Sequence, residues 1–283
     1  MASVAQSQKV VGTLETRQSE SKYRQVRMSG GIIGLQDWFE TPPGRYMLAW
    51  EQAQLDATVT DFFGYHAVQL GGTALDALRA NRMPHRWLVN SKAGNLSPTS
   101  PPTALWADFA ALPFSANSLD LVVLPHTLEL DVDPHAALRE VERVLVPEGR
   151  VVILGLNPAS LWGLRQRRAH AYQRFGFGEL FLPQGGDFIG YWRMRDWLRL
   201  LGFEVEMGRF GCYRPAVRTE KWLNRCEWMD PVGERWWPIL GAVYFLVAVK
   251  KVRGMRLVGP AWKSVPSRAG APVSVANRSQ GHH

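Results

Sequence analysis

Little in this sequence of 283 residues suits crosslinking or metal binding, since its only cysteines are Cys212 and Cys226. Two cysteines in this setting build neither a disulfide framework nor a metal-ligand cluster, so no metal site is expected, and reduced thiols suit a cytoplasmic protein. Long hydrophobic runs are also missing. The longest, Trp236 to Val249, is shorter than a membrane helix needs and contains Pro238. Residues 1–27 are polar, carry charges of both signs and lack the apolar core of a secretory signal. Acidic residues are absent from Lys250 onward, where seven basic residues supply seven of the eight net positive charges. The body up to residue 249 is therefore close to neutral at +1. That excludes a reading of the whole domain as a polycation built for nucleic acid. Internal repeats are absent.

What is present is a large apolar fraction, 46%, with 12 tryptophans. This is enough for one sizeable α/β core with additions. The spacing of apolar residues predicts helix over residues 35–63, interrupted at Thr41-Pro42-Pro43-Gly44, as a cover in front of a sheet. Short strands and helices then alternate. Strands are expected at Ala67–Leu70, Arg86–Val89, Leu105–Trp106, Leu119–Leu124 and Val151–Leu154, and a short helix is expected from Thr73 through Arg82. Leu119–Leu124 and Ala242–Val249 are continuous apolar runs of the kind buried on both faces of a parallel sheet. Pro134–Leu145 is a helix with Asp133 as its cap, Pro134 at its first position and Leu138, Val141, Val144 and Leu145 as its apolar stripe. Met194–Leu201 is helical, with Gly202 to end it. Repeated βα order argues for a doubly wound, mostly parallel sheet. Residues 28–253 would form this domain, between a disordered N-terminus (1–27) and a basic disordered tail (254–283). An aromatic-rich insert holding Trp222, Trp228, Trp236 and Trp237 precedes the last strand.

The densest signal lies at 105–157. The segment Asp108-Phe109-Ala110-Ala111-Leu112-Pro113-Phe114 is followed by Ser118-Leu119-Asp120-Leu121-Val122. His126-Thr127-Leu128-Glu129, Asp133-Pro134, Leu138-Arg139-Glu140 and Arg143-Val144-Leu145-Val146-Pro147-Glu148-Gly149-Arg150 come next in order. The series resembles the type 11 class I methyltransferases, whose sequences read D-A-x-x-L-P-F, S-F-D-x-V, H-V-L-E, D-P, L-R-E and R-V-L-K-P-G-G-R at these spacings. The resemblance implies a Rossmann-like fold, S-adenosyl-L-methionine as cofactor and transfer of its methyl group to an acceptor that the motifs do not identify. It also implies that Asp108 accepts from the adenine amine and that Phe109 flanks the base. His126 would stand at the ligand edge, as pocket wall or base. The site is placed independently at the carboxyl edge of the strands, where such sheets bind ligands.

The family's glycine loop, V-L-D-I-G-C-G-T-G, is only partly present. Its counterpart runs Ala67-Val68-Gln69-Leu70-Gly71-Gly72-Thr73-Ala74-Leu75, so that Gly71 and Gly72 remain as loop contacts while Gln69, Thr73 and Leu75 depart from the pattern. Asn90 stands where an acidic residue usually holds the ribose, and offers a hydrogen bond without charge assistance. Two readings follow: a methyltransferase with a reduced loop, or a non-catalytic binding or scaffold protein on the same fold. Methyl transfer depends largely on orientation, so no catalytic dyad is required and none is assigned. Asn157-Pro158-Ala159-Ser160-Leu161-Trp162-Gly163-Leu164-Arg165 follows the fifth strand and resembles a stretch from a proteobacterial branch of the family. Asn157 and Trp162 are its candidate acceptor-pocket residues. A small-molecule acceptor is the expected partner. Attachment of the basic tail to nucleic acid or an anionic membrane is the alternative.

Overall fold

The computed structural model describes residues 38–91, 105–173, 181–182 and 188–251. The expected N-terminal segment (1–27) and the tail from residue 254 lie outside these.

Seven strands form one sheet in the order β3-β2-β1-β4-β5-β7-β6. They are β1 (His66–Leu70), β2 (His85–Asn90), β3 (Leu105–Trp106), β4 (Leu119–Pro125), β5 (Leu145–Leu156), β6 (Phe203–Gly211) and β7 (Val243–Lys250). All neighbours are parallel except the pairs made by β7, which runs antiparallel to both β5 and β6. The order moves outward from β1 to β3, then returns to place β4 beside β1. That reversal opens a crevice above the carboxyl ends of the central strands.

Burial explains the composition of the strands. Every residue of β7 is buried, which is why Val243 to Val249 reads as an unbroken apolar run. β6 lies at the sheet edge, where Glu204, Glu206 and Arg209 are exposed while Val205, Met207 and Phe210 are half-buried. One sheet face packs Val68, Leu70, Val122, Leu124 and Leu246 against Leu138 and Val141 of α3 (Pro134–Val144) and Met194 and Leu198 of α5 (Tyr191–Leu200). The other packs Ala67, Val123, Leu154 and Phe245 against Leu55 and Val59 of α1 (Pro42–Val59) and against Leu75, Leu78 and Met83. Between these helices lie α2 (Thr127–Leu130) and α4 (Leu161–Gln173). Two short helices, α6 (Glu220–Arg225) and α7 (Met229–Trp236), form the insert before β7.

The expected ends of α3 and α5 are present. Asp133 accepts from the Ala136 N–H at 2.9 Å, satisfying one of the orphan donors of the first turn. Gly202 follows α5 with φ +84, the left-handed geometry that a glycine tolerates best. Two expectations need correction. Thr41-Pro42-Pro43-Gly44 starts the first long helix instead of interrupting it. Thr41 is the N-cap and the prolines occupy the first turn, where missing N–H groups cost nothing. The helix expected from Thr73 through Arg82 is replaced by turns. Its apolar residues face the sheet all the same, but its backbone is organised by a buried side chain, Gln69.

Candidate active site at the carboxyl edge

Three of the predicted cofactor residues meet at the ends of β1 to β3. Asn90 ends β2 and pairs with Trp106, and the Ala107 N–H donates to the Asn90 carbonyl at 3.0 Å. This brings Asp108 next to Asn90 on the edge. The Gly71 N–H donates to the Val89 carbonyl at 2.8 Å, tying the loop after β1 to the same corner.

The two side chains differ in exposure, with Asn90 half-buried. Asp108 is exposed, and its Oδ1 accepts from the Ala110 N–H at 3.0 Å. It thus makes the short loop bond typical of Asp. Its Oδ2 accepts no hydrogen bond among the described residues. The Asn90 Oδ1 accepts from the Ser91 N–H at 3.0 Å, and its amide nitrogen makes no hydrogen bond among the described residues. Among the described residues, the corner therefore has a carboxylate oxygen and an amide donor without hydrogen-bond partners. Those are the groups that an exocyclic amine and a ribose hydroxyl require.

Gly71 and Gly72 have φ of +66 and +61, two successive left-handed residues. A Cβ on Gly71 would lie 3.2 Å from Thr127 Oγ1 and 3.5 Å from the Phe109 ring. One on Gly72 would lie 2.6 Å from the Pro125 side chain and 2.7 Å from its carbonyl oxygen. The space saved by both glycines is filled by the protein itself, and the buried Phe109 closes over Gly71. A ligand would meet the rim of this loop and not a hollow beneath it.

A different arrangement stands over β4 and β5. His126 follows β4 with φ +54 and is buried. Its Nε2 lies 2.7 Å from Glu51 Oε1 of α1, and its Nδ1 lies 3.0 Å from Glu129 Oε2 of α2. The Leu156 N–H, at the end of β5, donates to Glu129 Oε1 at 2.5 Å. Burial by itself would push the imidazole pKa down. The Glu51 charge and the bonds to both carboxylates outweigh it and raise the pKa to about 10, so that His126 is an imidazolium donating through both nitrogens at neutral pH. Burial raises the Glu129 carboxyl, against the pull of His126. Beside this cluster the Tyr46 hydroxyl donates to Asp230, which also binds Arg214 at 2.8 Å. Burial, then the charges of Glu51 and Asp230, push the Cys212 thiol up.

The remaining predicted residues take packing roles at this edge. His126 has both nitrogens engaged by carboxylates and presents none to a ligand. The Asn157 amide donates to the carbonyls of Ile239 at 2.7 Å and Gly241 at 2.9 Å, joining the end of β5 to the insert. Trp162 is buried, packs edge-on against Trp38 and Phe181, and donates to the Arg214 carbonyl at 2.8 Å. It forms part of the wall over β5. Sequence reasoning missed Glu51. The signal was available: Met47, Glu51, Leu55 and Val59 recur every four residues, so an acid occupies a place in an otherwise apolar stripe.

Residues 86–153, from β2 to the middle of β5, match the methyltransferase domain profile of the type 11 family. The uncharacterized protein YafS of Escherichia coli (strain K12) is 31% identical over 186 residues, spanning 64% of this chain and 70% of YafS. The chain belongs to the type 11 class I methyltransferases. A malonyl-[acyl-carrier protein] O-methyltransferase from Halorhodospira halophila is 32% identical over 129 residues, 42% of this chain and 39% of that enzyme. Among solved structures, a chain from the Haloferax volcanii complex between the Trm112 methyltransferase activator and a methyltransferase superposes over 79% of this chain and 99% of its own. Its TM-score of 0.53 at 18% identity shows a shared fold. The described residues include no cluster of metal-binding side chains and no helix long and apolar enough to cross a membrane.

Proposed function

We propose that this methyltransferase-family protein uses S-adenosyl-L-methionine and transfers its methyl group to a small-molecule acceptor. The observation that carries the reading is the placement of Asn90 and Asp108 at one corner, each with a polar atom that has no partner among the described residues. Asp108 would accept from the adenine amine through Oδ2, Phe109 would flank the base, and Asn90 would donate to a ribose hydroxyl. The rim of Gly71 and Gly72 would border the methionyl end. When bound, the cofactor supplies an electrophilic methyl on a sulfonium. The chain's own contribution is orientation, which alone can provide a large share of the acceleration. The acceptor would enter above β4 and β5, against a wall formed by Trp162 and the Trp38–Phe39 turn. His126, a buried cation held by two carboxylates, would fix that wall and not remove a proton.

Calorimetric titration with S-adenosylmethionine and S-adenosylhomocysteine tests the reading. Saturable binding by the wild type, weakened in Asp108→Ala, supports it. Folded protein that binds neither at millimolar concentration overturns it. A second reading, a non-catalytic binding module, is favoured by one observation: the glycine loop is filled by Phe109, Thr127 and Pro125. The same titration separates the two. Attachment of the basic tail to nucleic acid or anionic lipid is a separate proposal. Loss of binding on deletion of residues 254–283 would support it, and unchanged binding would remove it.

A further inference from the structure

Gln69 is where this chain departs most informatively from its family, because an amide replaces an acid at the end of β1. The side chain is 2% exposed, and both of its ends are engaged. Its Nε2 donates to the carbonyls of Gly71 at 3.0 Å, Gly72 at 3.1 Å and Leu75 at 2.9 Å. Its Oε1 accepts from the Ala77 N–H at 2.9 Å. A carboxylate can only accept. At this place it would set a negative oxygen against three carbonyl oxygens, and the Gly71 and Leu75 carbonyls would lose the donor they have among the described residues, while Gly72 would keep only the Leu75 N–H.

The loop is therefore built with its carbonyls turned inward onto Gln69. The two other departures belong to the same construction. Leu75, in place of a family glycine, buries its side chain beneath the sheet while its carbonyl binds Gln69. Thr73, in place of another, is also buried. The glycines that remain, Gly71 and Gly72, are the two residues with left-handed backbone.

We infer that Gln69 is a positioning residue. By donating hydrogen bonds it holds the loop from Gly71 to Leu75 in the shape that borders the cofactor, so the lost acid and lost glycines are one compensated exchange and not decay of the site. The inference rests on the proposed use of S-adenosylmethionine, and its test separates the two. Gln69→Glu keeps the size and the acceptor but removes the donors when ionised. The Leu75 N–H, which donates to the Gly72 carbonyl at 3.0 Å within the loop, reports its shape. In Gln69→Glu the hydrogen-exchange protection factor of Leu75 should fall at least tenfold at pH 8. It should recover in part at pH 5, where a protonated acid donates again. Gln69→Met should lose protection at both pH values. Affinity for S-adenosylhomocysteine should fall at least tenfold in Gln69→Glu at pH 8. If Gln69→Glu unfolds at pH 8, its refolding at pH 5 gives the same answer.

Equal protection in wild type and Gln69→Glu at both pH values overturns the inference. So does unchanged affinity for S-adenosylhomocysteine in a variant whose loop has loosened. If the wild type binds no S-adenosylhomocysteine, the proposed function fails, and the exchange measurements alone decide whether Gln69 shapes the loop.

Discussion

The two halves of the carboxyl edge are built on opposite plans. At the ends of β2 and β3, Asp108 is exposed and Asn90 half-buried, and among the described residues each keeps a polar atom without a partner. Over β4 and β5 the polar groups are buried and bonded to each other, with a histidine between two glutamates. The first half leaves polar atoms near the surface. The second holds α1, α2 and β5 together, and its chemistry faces inward. A protein can afford free hydrogen-bonding atoms only where water or a ligand reaches them, so the difference in exposure is itself functional information.

The comparison can be broken most directly at His126. His126→Leu would leave the buried Glu51 and Glu129 without their shared partner, and should cost about 3–5 kcal/mol. Urea denaturation would measure it. A loss below about 1 kcal/mol would show that the cluster is not an ion pair. The same bond has a pH signature. The folded-state pKa of His126 is raised to about 10, above its unfolded value. Its contribution to stability should be complete below about pH 6.5 and fall away as pH rises through 10. Denaturation midpoints between pH 7 and 10.5 should drop in the wild type and stay nearly level in His126→Leu.

Gly72→Ala probes the seam between the halves, because its new methyl would meet the Pro125 side chain and carbonyl. Left-handed strain and overpacking together should cost about 2–4 kcal/mol, read by thermal denaturation. Asp108→Ala should leave stability within about 1 kcal/mol of wild type, as expected of an exposed loop residue. It should weaken S-adenosylhomocysteine binding by about 1.5–3 kcal/mol, the range for a hydrogen bond to a charged group. An affinity unchanged by this substitution would take Asp108 out of the site. The smallest effect belongs to Arg150→Ala, which removes an exposed pair with Glu206 at 3.2 Å and should change stability by less than about 1 kcal/mol.

Much of the fold was legible because strands and helices buried on a regular face leave a periodic record. Pro134–Val144 and Val243–Lys250 follow their apolar patterns closely, with Asp133 capping the first and Gly202 ending the later helix Tyr191–Leu200. Residues 73–82 were misread because Leu75, Leu78 and Met83 are apolar and buried without helical backbone. Burial alone does not select a conformation, and here the Gln69 amide selects turns. Asn90 ends β2 and Asp108 lies two residues after β3, positions that follow from strand ends easy to read. Asn157 and Trp162 were placed at the edge as well, but their polar atoms are engaged by Ile239, Gly241 and Arg214, partners more than fifty residues away.

The sequence by itself determined the order of the strands and the family. Those depend on local pattern and on motifs of fixed spacing. Only the tertiary structure decided that Gln69 holds the loop, that Glu51 reaches His126 from a helix 75 residues earlier in the chain, and that the space at Gly71 is filled by Phe109 and Thr127. A hydrogen bond between distant residues leaves no period in the sequence. It exists only once the sheet and α1 have brought donor and acceptor together, and the cost of burying either one alone makes the pairing obligatory.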